Sequence, residues 1–329
     1  MAAGRTSTSP SAAWNNCRRS TACARSASPE VPRAQLLAWL GLALASLFWA
    51  GNSLVARAFT GAIPPFSLAF WRWAVALMIL LPLVGPSLWQ HRQTLRNSGW
   101  RLWFAALLAI TLYNVLLYTA ALSTAAINLS LVSTCLPLAT FIGAGLLLGE
   151  WPARRAWVGL GLALVGLLWL IAQGNWQVLA SLSFAKGDLL MVLATLDWAL
   201  YSLLLRRWSA HFQLPPFTLL GALVLIGLLM LAPFYAWELW QGAQFEPSLP
   251  NLAAIGYTAL FASVLGYQLW NIGLRELGAA RTAMSNYLMP VFTAILGWVL
   301  LGESLQTYHW VGGALIVSGL LLAGRGQSR

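Results

Sequence analysis

The sequence predicts an all-α integral membrane protein: ten transmembrane helices as two inverted five-helix repeats, with both termini in the cytoplasm. Three observations predict it. Apolar runs of about 20 residues, enough to cross a hydrocarbon core of about 30 Å, follow one another with short polar breaks. The chain writes one half of itself twice. Its positive charges gather at one set of span ends.

Composition sets the class. Of 329 residues, 59% are hydrophobic and 8% charged, against roughly 25% charged in soluble domains. The net charge of +11 lies in loops and tails and forms no basic stripe with interleaved aromatics, so no nucleic-acid partner is expected. The expected partners are the lipid bilayer and a small-molecule substrate. Cys17 and Cys23 lie in the N-terminal tail and Cys135 in an apolar span, a spacing that suggests neither a zinc site nor a disulfide framework. Neither a metal nor a cofactor is expected.

The duplication is clearest from Ser133 to Leu170. The run from Cys135 through Pro137 and Thr140 ends in Leu147-Leu148-Gly149-Glu150, then Trp157-Val158-Gly159. Moving 153 positions on gives Pro290, Thr293, Leu300-Leu301-Gly302-Glu303 and Trp310-Val311-Gly312. Pro64-Pro65-Phe66 recurs as Pro215-Pro216-Phe217, and Trp49-Ala50 as Trp198-Ala199, with offsets of 151 and 149.

In chain order, residues 1–35 read as a disordered cytoplasmic tail without the apolar segment of a secretory signal. Residues 36–172 form the first repeat, with spans at about 36–56, 66–88, 101–121, 125–148 and 154–172. A linker, 173–187, leads to the second repeat, 188–324, with spans at about 188–205, 217–237, 251–273, 279–301 and 307–324. Residues 325–329 form a second cytoplasmic tail.

With these spans, one set of ends carries sixteen arginines, among them Arg92, Arg154, Arg206, Arg275 and Arg325. The other set carries only Arg57 and Lys186, and Arg72 lies within a span. Excess Lys and Arg stay cytoplasmic, which places both termini inside. Five spans per half is an odd number, so the second half enters the membrane upside down. Inverted repeats of this kind build secondary transporters, with the substrate near the midplane between halves and alternating access by rocking.

The motif order resembles the drug/metabolite transporter superfamily, in its ten-helix branch of two EamA-type domains. The resemblance rests on Phe48-Trp49-Ala50-Gly51-Asn52, Pro64-Pro65-Phe66 with Phe70-Trp71-Arg72, and Pro137 with Leu147-Leu148-Gly149-Glu150. In the second half it rests on Trp198-Ala199-Leu200-Tyr201-Ser202, Ala279-Ala280-Arg281, Pro290 and Leu300-Leu301-Gly302-Glu303. It implies export or exchange of small amphipathic metabolites, amino acids or related compounds first, across a bacterial inner membrane. It further implies a cavity lined mainly by spans one, three, four, six, eight and nine. The small multidrug exporters of the superfamily depend on a carboxylate in their first helix, and the first span here has none.

Candidate cavity residues follow from polarity at depth. Asp197 is a carboxylate about ten residues into the sixth span, and Tyr201, four positions on, shares its face. Ionisable residues within spans are costly and mark function by default, so Asp197 is the candidate for proton coupling or substrate binding. The alternative is a residue that locks its helix to a neighbour. Arg72 either binds a substrate carboxylate bidentately or serves the architecture by snorkelling or pairing with carbonyls. The third span offers Tyr113, Asn114 and Tyr118 and the eighth Tyr267, Gln268 and Asn271; by the offset of 153, Asn114 aligns with Tyr267 and Tyr118 with Asn271. Asn128, Ser130, Ser133, Thr134, Asn286 and Tyr287 add polar groups in the fourth and ninth, although interhelical hydrogen bonds alone explain many such residues.

Trp49, Trp198 and Trp270 lie deep enough to stack on a ligand, with Asn52 beside them, whereas Trp73, Trp208 and most other tryptophans read as headgroup anchors. Pro137 and Pro290 should kink their helices, for the site or for packing. Gly159, Gly161 and Gly166, with Gly312, Gly313 and Gly319, fit close helix packing or a homodimer contact. Glu150 and Glu303 read as turn residues.

An enzyme would need His, Cys or carboxylates clustered at one depth, and His91, His211 and His309 lie apart near loops. A channel would want a charged ring, and the spans offer only Asp197 and Arg72. No GxxxxGK[ST] loop is present for ATP hydrolysis. Export of amphipathic metabolites is the leading reading, with lipophilic-cation export or uncoupled facilitation as alternatives.

Overall fold

The computed structural model describes residues 33–59, 61–124, 129, 132–181, 186–302 and 304–324. The tail up to residue 32, the C-terminal tail, Asn128, Ser130 and Glu303 lie outside the described residues. Eight helices are long and apolar enough to cross a membrane, and two shorter apolar helices accompany them. In chain order these are α1 (Arg33–Ala58), α2 (Pro65–Gln90), α3 (Arg92–Ala121), α4 (Leu136–Leu148), α5 (Arg154–Ile171), α6 (Lys186–Arg207), α7 (Pro216–Trp240), α8 (Leu249–Leu277), α9 (Ala279–Leu300) and α10 (Thr307–Gly324). No strand occurs among the described residues.

Local chemistry sets the boundaries. Pro65 and Pro216 occupy the first turns of α2 and α7, where a missing N–H costs nothing. Gly149 and Gly302 close α4 and α9 with left-handed φ of 71° and 69°, which accounts for the glycine of the duplicated motif. α3 begins at Arg92 rather than Arg101, because a polar helical segment joins the apolar one across a kink at Gly99, φ 50°. Pro137 sits in the first turn of α4, just after a turn at Thr134–Cys135, and Pro290 follows a 3-10 turn at Ser285–Tyr287 within α9.

The packing has an approximate two-fold pattern. α5 packs on α10 and α2 on α7, each pair joining equivalent helices of the two halves. α1 packs on α8 and α9, just as α6 packs on α3 and α4. Each half therefore buries its helices chiefly against the other. The surface is inverted relative to a soluble protein. Leu83, Leu146 and Leu229 are exposed while Arg72, Asn114, Asp197 and Gln268 are buried, as a lipid environment requires. The chain is a multi-pass membrane protein.

The glycine faces of α5 and α10 are turned on each other. A Cβ on Gly159 would stand 2.5 Å from the Gly319 carbonyl oxygen, and one on Gly166 would stand 2.7 Å from that of Gly312. At one end of the α2–α7 pair, Glu238 accepts from the backbone N–H of Phe66 at 3.0 Å and of Ser67 at 2.6 Å, and from the Ser67 hydroxyl at 2.7 Å. At the other end their repeat equivalents Ser87 and Thr218 share a hydroxyl hydrogen bond of 2.8 Å.

Candidate functional site

Where the halves cross, seven aromatic side chains from five helices form one cluster. Trp49 of α1 meets Trp198 of α6 edge-on at 6.1 Å, although the two are equivalent positions of the repeat. Trp270 and Tyr267 of α8 stand 5.4 and 6.3 Å from Trp49, and 5.7 and 5.1 Å from Trp198. Tyr113 of α3 and Tyr201 of α6 pack on Trp198 at 5.1 and 5.2 Å. Such tilted and edge-on pairs add to burial through ring quadrupoles.

Trp73 of α2 completes the group, edge-on to Tyr267 at 4.8 Å and fully buried. It is not the headgroup anchor that its place in the sequence suggested. It lies on the face of α2 formed by Phe66, Ala69, Ala76 and Leu80, all buried at helical spacing. That periodicity was the available signal. Trp208 is likewise buried, against Trp100, Phe104 and Phe212, rather than anchored at the surface.

The helices that carry this cluster depart from α geometry at matching places. α3 is a π-helix over Leu107–Leu112 and α8 over Thr258–Leu265, and the two segments end one repeat offset apart. Each segment supplies a carbonyl to an aromatic donor. Tyr267 donates to Ala109 at 3.0 Å and Trp49 to Ala262 at 2.9 Å, and these two acceptors are also repeat equivalents. Sequence reasoning missed both π segments, which lie directly before the polar residues Tyr113–Asn114 and Tyr267–Gln268. Such segments recur at functional sites.

Polar groups thread the aromatic cluster. Arg72 donates through Nη2 to Asn114 Oδ1 at 3.0 Å and lies over the Trp73 ring at 5.0 Å. Asn114 in turn donates to the Ile110 carbonyl at the π segment. Tyr201 donates to Asn271 Oδ1 at 2.9 Å, and Trp270 to the Ser202 hydroxyl at 3.3 Å. Tyr113 sits within electrostatic reach of Arg72, Tyr118 and Asp197. Several buried atoms here have no hydrogen-bond partner among the described residues: Arg72 Nε, both carboxylate oxygens of Asp197, Gln268 Oε1 and Asn271 Nδ2. Native interiors leave few such groups, so their concentration at one place is a property of the site.

The remaining sequence candidates are placed as follows. Asn52 is half-buried one turn past Trp49 on α1, and Tyr118 packs half-buried at the edge of the main core. Ser133 and Asn286 are half-buried beside the breaks that precede Pro137 and Pro290. Tyr287 belongs to a second core with Phe141, Leu160 and Leu167, where its hydroxyl donates to the Thr134 carbonyl at 3.0 Å. The structure thus gathers Trp49, Arg72, Tyr113, Asn114, Asp197, Trp198, Tyr201, Tyr267 and Asn271 around one centre and sets Tyr287 apart from it. Glu150, on a loop, pairs with Arg206 at 3.7 Å, in keeping with a structural role.

Comparison with known proteins adds to this geometry. The model of the EamA-like transporter family matches residues 36–172 and 185–325. The uncharacterized transporter YyaM of Bacillus subtilis (strain 168) is 28% identical over 289 residues, covering 84% of this chain and 90% of that protein. The uncharacterized inner membrane transporter YedA of Escherichia coli (strain K12) is 26% identical over 301 residues, covering 89% and 92%. A solved crystal structure at 20% identity superposes with a TM-score of 0.73 over 87% of this chain and 96% of its own, a likeness of fold.

Proposed function

The chain belongs to the EamA-like transporter family, and from that premise we propose that it is a secondary transporter exporting small amphipathic metabolites, amino acids or related compounds first, by alternating access. The observation that carries the reading is the contact of half-buried Trp49 with its buried repeat equivalent Trp198 in a cluster of rings and unpartnered polar atoms. A site built from equivalent residues of both halves changes its exposure when the halves rock against each other.

In this reading the ten apolar helices span a bacterial inner membrane, with both termini cytoplasmic on the strength of the arginine distribution. The inner-membrane relative YedA supports that location. Asp197 serves as the proton-coupling group, since it is buried well inside α6 without a hydrogen-bond partner.

A second reading is export of lipophilic cations. It is favoured by the faces of Trp49, Trp198, Tyr267 and Trp270, which attract cations.

The experiment is flux in proteoliposomes with labelled amino acids and one quaternary ammonium dye, with and without an imposed pH gradient. Saturable amino-acid flux is the expected result. Flux of the dye alone would replace this reading with the second. Flux of neither would reject both substrate classes.

A further inference from the structure

The last two residues of α6, Arg206 and Arg207, reach out of their own helix to the ends of two others. Arg206 donates through Nη1 to the Arg275 carbonyl in the last turn of α8 at 3.0 Å, and Arg207 donates through Nη1 to the Leu147 carbonyl in the last turn of α4. The final carbonyls of a helix lack donors of their own and carry its negative dipole end, so a guanidinium suits them. Nη2 of Arg206 also stands 3.7 Å from Glu150, on the loop that follows α4. The same carboxylate reaches the turn between α8 and α9, where a Cβ on Gly278 would lie 3.7 Å from Glu150 Oε2.

These contacts differ in what they join. Arg206 to Arg275 stays within the second half. Arg206 to Glu150, Arg207 to Leu147 and Glu150 to Gly278 each tie the first half to the second. They must part if the halves rock away from each other at this end. The charge here is uneven. Glu150 and Arg281 line one small cavity with Ala153, and Arg154 and Arg155 open α5 directly after it. Glu276 already pairs with Arg275 at 2.9 Å, which leaves Glu150 to answer the arginines across the halves. Closing this end gathers like charges, and Glu150 offsets their repulsion.

Resting on the transport reading above, we propose that Arg206, Arg207 and Glu150 form a clasp that holds the cytoplasmic end of the cavity shut, and that its release admits substrate from the cytoplasm. Each member contributes little alone. The Arg206 and Glu150 side chains are 32% and 49% exposed, and exposed pairs add little to folding stability. Tipping a balance between two conformations requires no more than that, because a small free-energy difference is already a several-fold change in their ratio.

The test reads distances by pulsed electron spin resonance on the full-length protein in lipid nanodiscs, with Cys17, Cys23 and Cys135 replaced by Ser. Nitroxide labels at Arg154 and Ala210 report the cytoplasmic end, and labels at Ala62 and Thr307 report the opposite end. No substrate is added, so the result does not depend on the substrate class. Glu150→Gln should raise the longer cytoplasmic distance over the shorter by about two- to fivefold. Arg206→Gln should do so at least as far, since it also frees the Arg275 carbonyl. Glu150→Arg should go further, and adding Arg206→Glu, which exchanges the charges, should bring the ratio back towards the wild type. Glu303 is the repeat equivalent of Glu150, and Glu303→Gln should not lengthen the cytoplasmic distance. An unchanged ratio in the Glu150 variants would leave Glu150 a turn residue and overturn the clasp alone. An equal shift from Glu303→Gln would do the same. One fixed distance at both ends, in the wild type and in every variant, would overturn the rocking of the halves and the clasp with it.

Discussion

Tyr287 donates its hydroxyl to the backbone carbonyl of Thr134 at 3.0 Å, and the two residues are equivalent positions of the two repeats, 153 apart. A side chain that reaches the backbone of its own counterpart marks the place where the pseudo-two-fold relation passes through the molecule. Trp49 and Trp198 mark a second such place. Between them these contacts tie the turn before α4 to α9, and α1 to α6, so the line joining them is the seam along which the halves meet.

Tyr287→Phe removes the hydrogen bond and keeps the ring that packs with Phe141 and Leu160. Interhelical hydrogen bonds within membranes average about 0.6 kcal/mol, so a small fall in melting temperature in detergent is expected, with flux retained. Loss of flux at unchanged stability would instead place Tyr287 in the transport path.

The α5–α10 seam gives a sharper stability test. A Cβ at position 159 meets the Gly319 carbonyl at 2.5 Å and the Ala323 backbone nitrogen at 2.9 Å, neither of which can yield like a side-chain tip. Gly159→Ala should cost about 1–3 kcal/mol by overpacking. Gly161→Ala, on the same helix with nothing within 4 Å, should be neutral or stabilise by up to about 1 kcal/mol. Thermal melts of the two variants decide it, and equal behaviour would show that the close crossing is absent in the bilayer.

Much of this seam was legible because duplication turns one observation into two. The offset of 153 pairs Gly159 with Gly312 and Gly166 with Gly319, and two antiparallel copies of one glycine pattern can interlock only crosswise. Asp197, Arg72 and the tyrosines were legible as polar residues at depth. What was not legible was whatever depends on the exact helical register. The π segments at Leu107–Leu112 and Thr258–Leu265 contain ordinary Leu, Ala and Thr, and nothing in their composition separates a π turn from an α turn. Trp73 was misplaced because proximity to a span end outweighed its buried helical face. Glu238 was overlooked because its repeat equivalent is Ser87, so the duplication that revealed other pairs concealed this one.

Glu238 carries the next prediction. Its carboxylate serves the N–H groups of Phe66 and Ser67 at the start of α2, where no helical partner exists for them. Glu238→Ala leaves buried donors unserved and should cost about 1–3 kcal/mol. Ser87→Ala at the opposite end of the same helix pair removes one hydroxyl contact to Thr218 and should cost about 0.5–1.5 kcal/mol. The ratio of the two melting shifts is the measurement, and a larger shift for Ser87→Ala would refute the assignment of Glu238 as the main cap.

Coupling can be separated from binding at Asp197. The other buried carboxylates among the described residues are Asp188, in the first turn of α6, and Glu238, in the last turn of α7, both at helix ends. Asp197 is ten residues from the end of α6 and its carboxylate has no hydrogen-bond partner; the proton role proposed for it requires that it exchange a proton with either side of the membrane in turn. With one proton moved per substrate, an imposed gradient of about one pH unit is worth about 1.4 kcal/mol, or about tenfold in accumulation. Wild-type proteoliposomes should show that accumulation under the gradient. Asp197→Asn should equilibrate substrate to the same level with and without it, at saturating substrate to offset weaker binding. Gradient-driven accumulation retained by Asp197→Asn would remove the proton role from Asp197 and leave its carboxylate to the substrate alone.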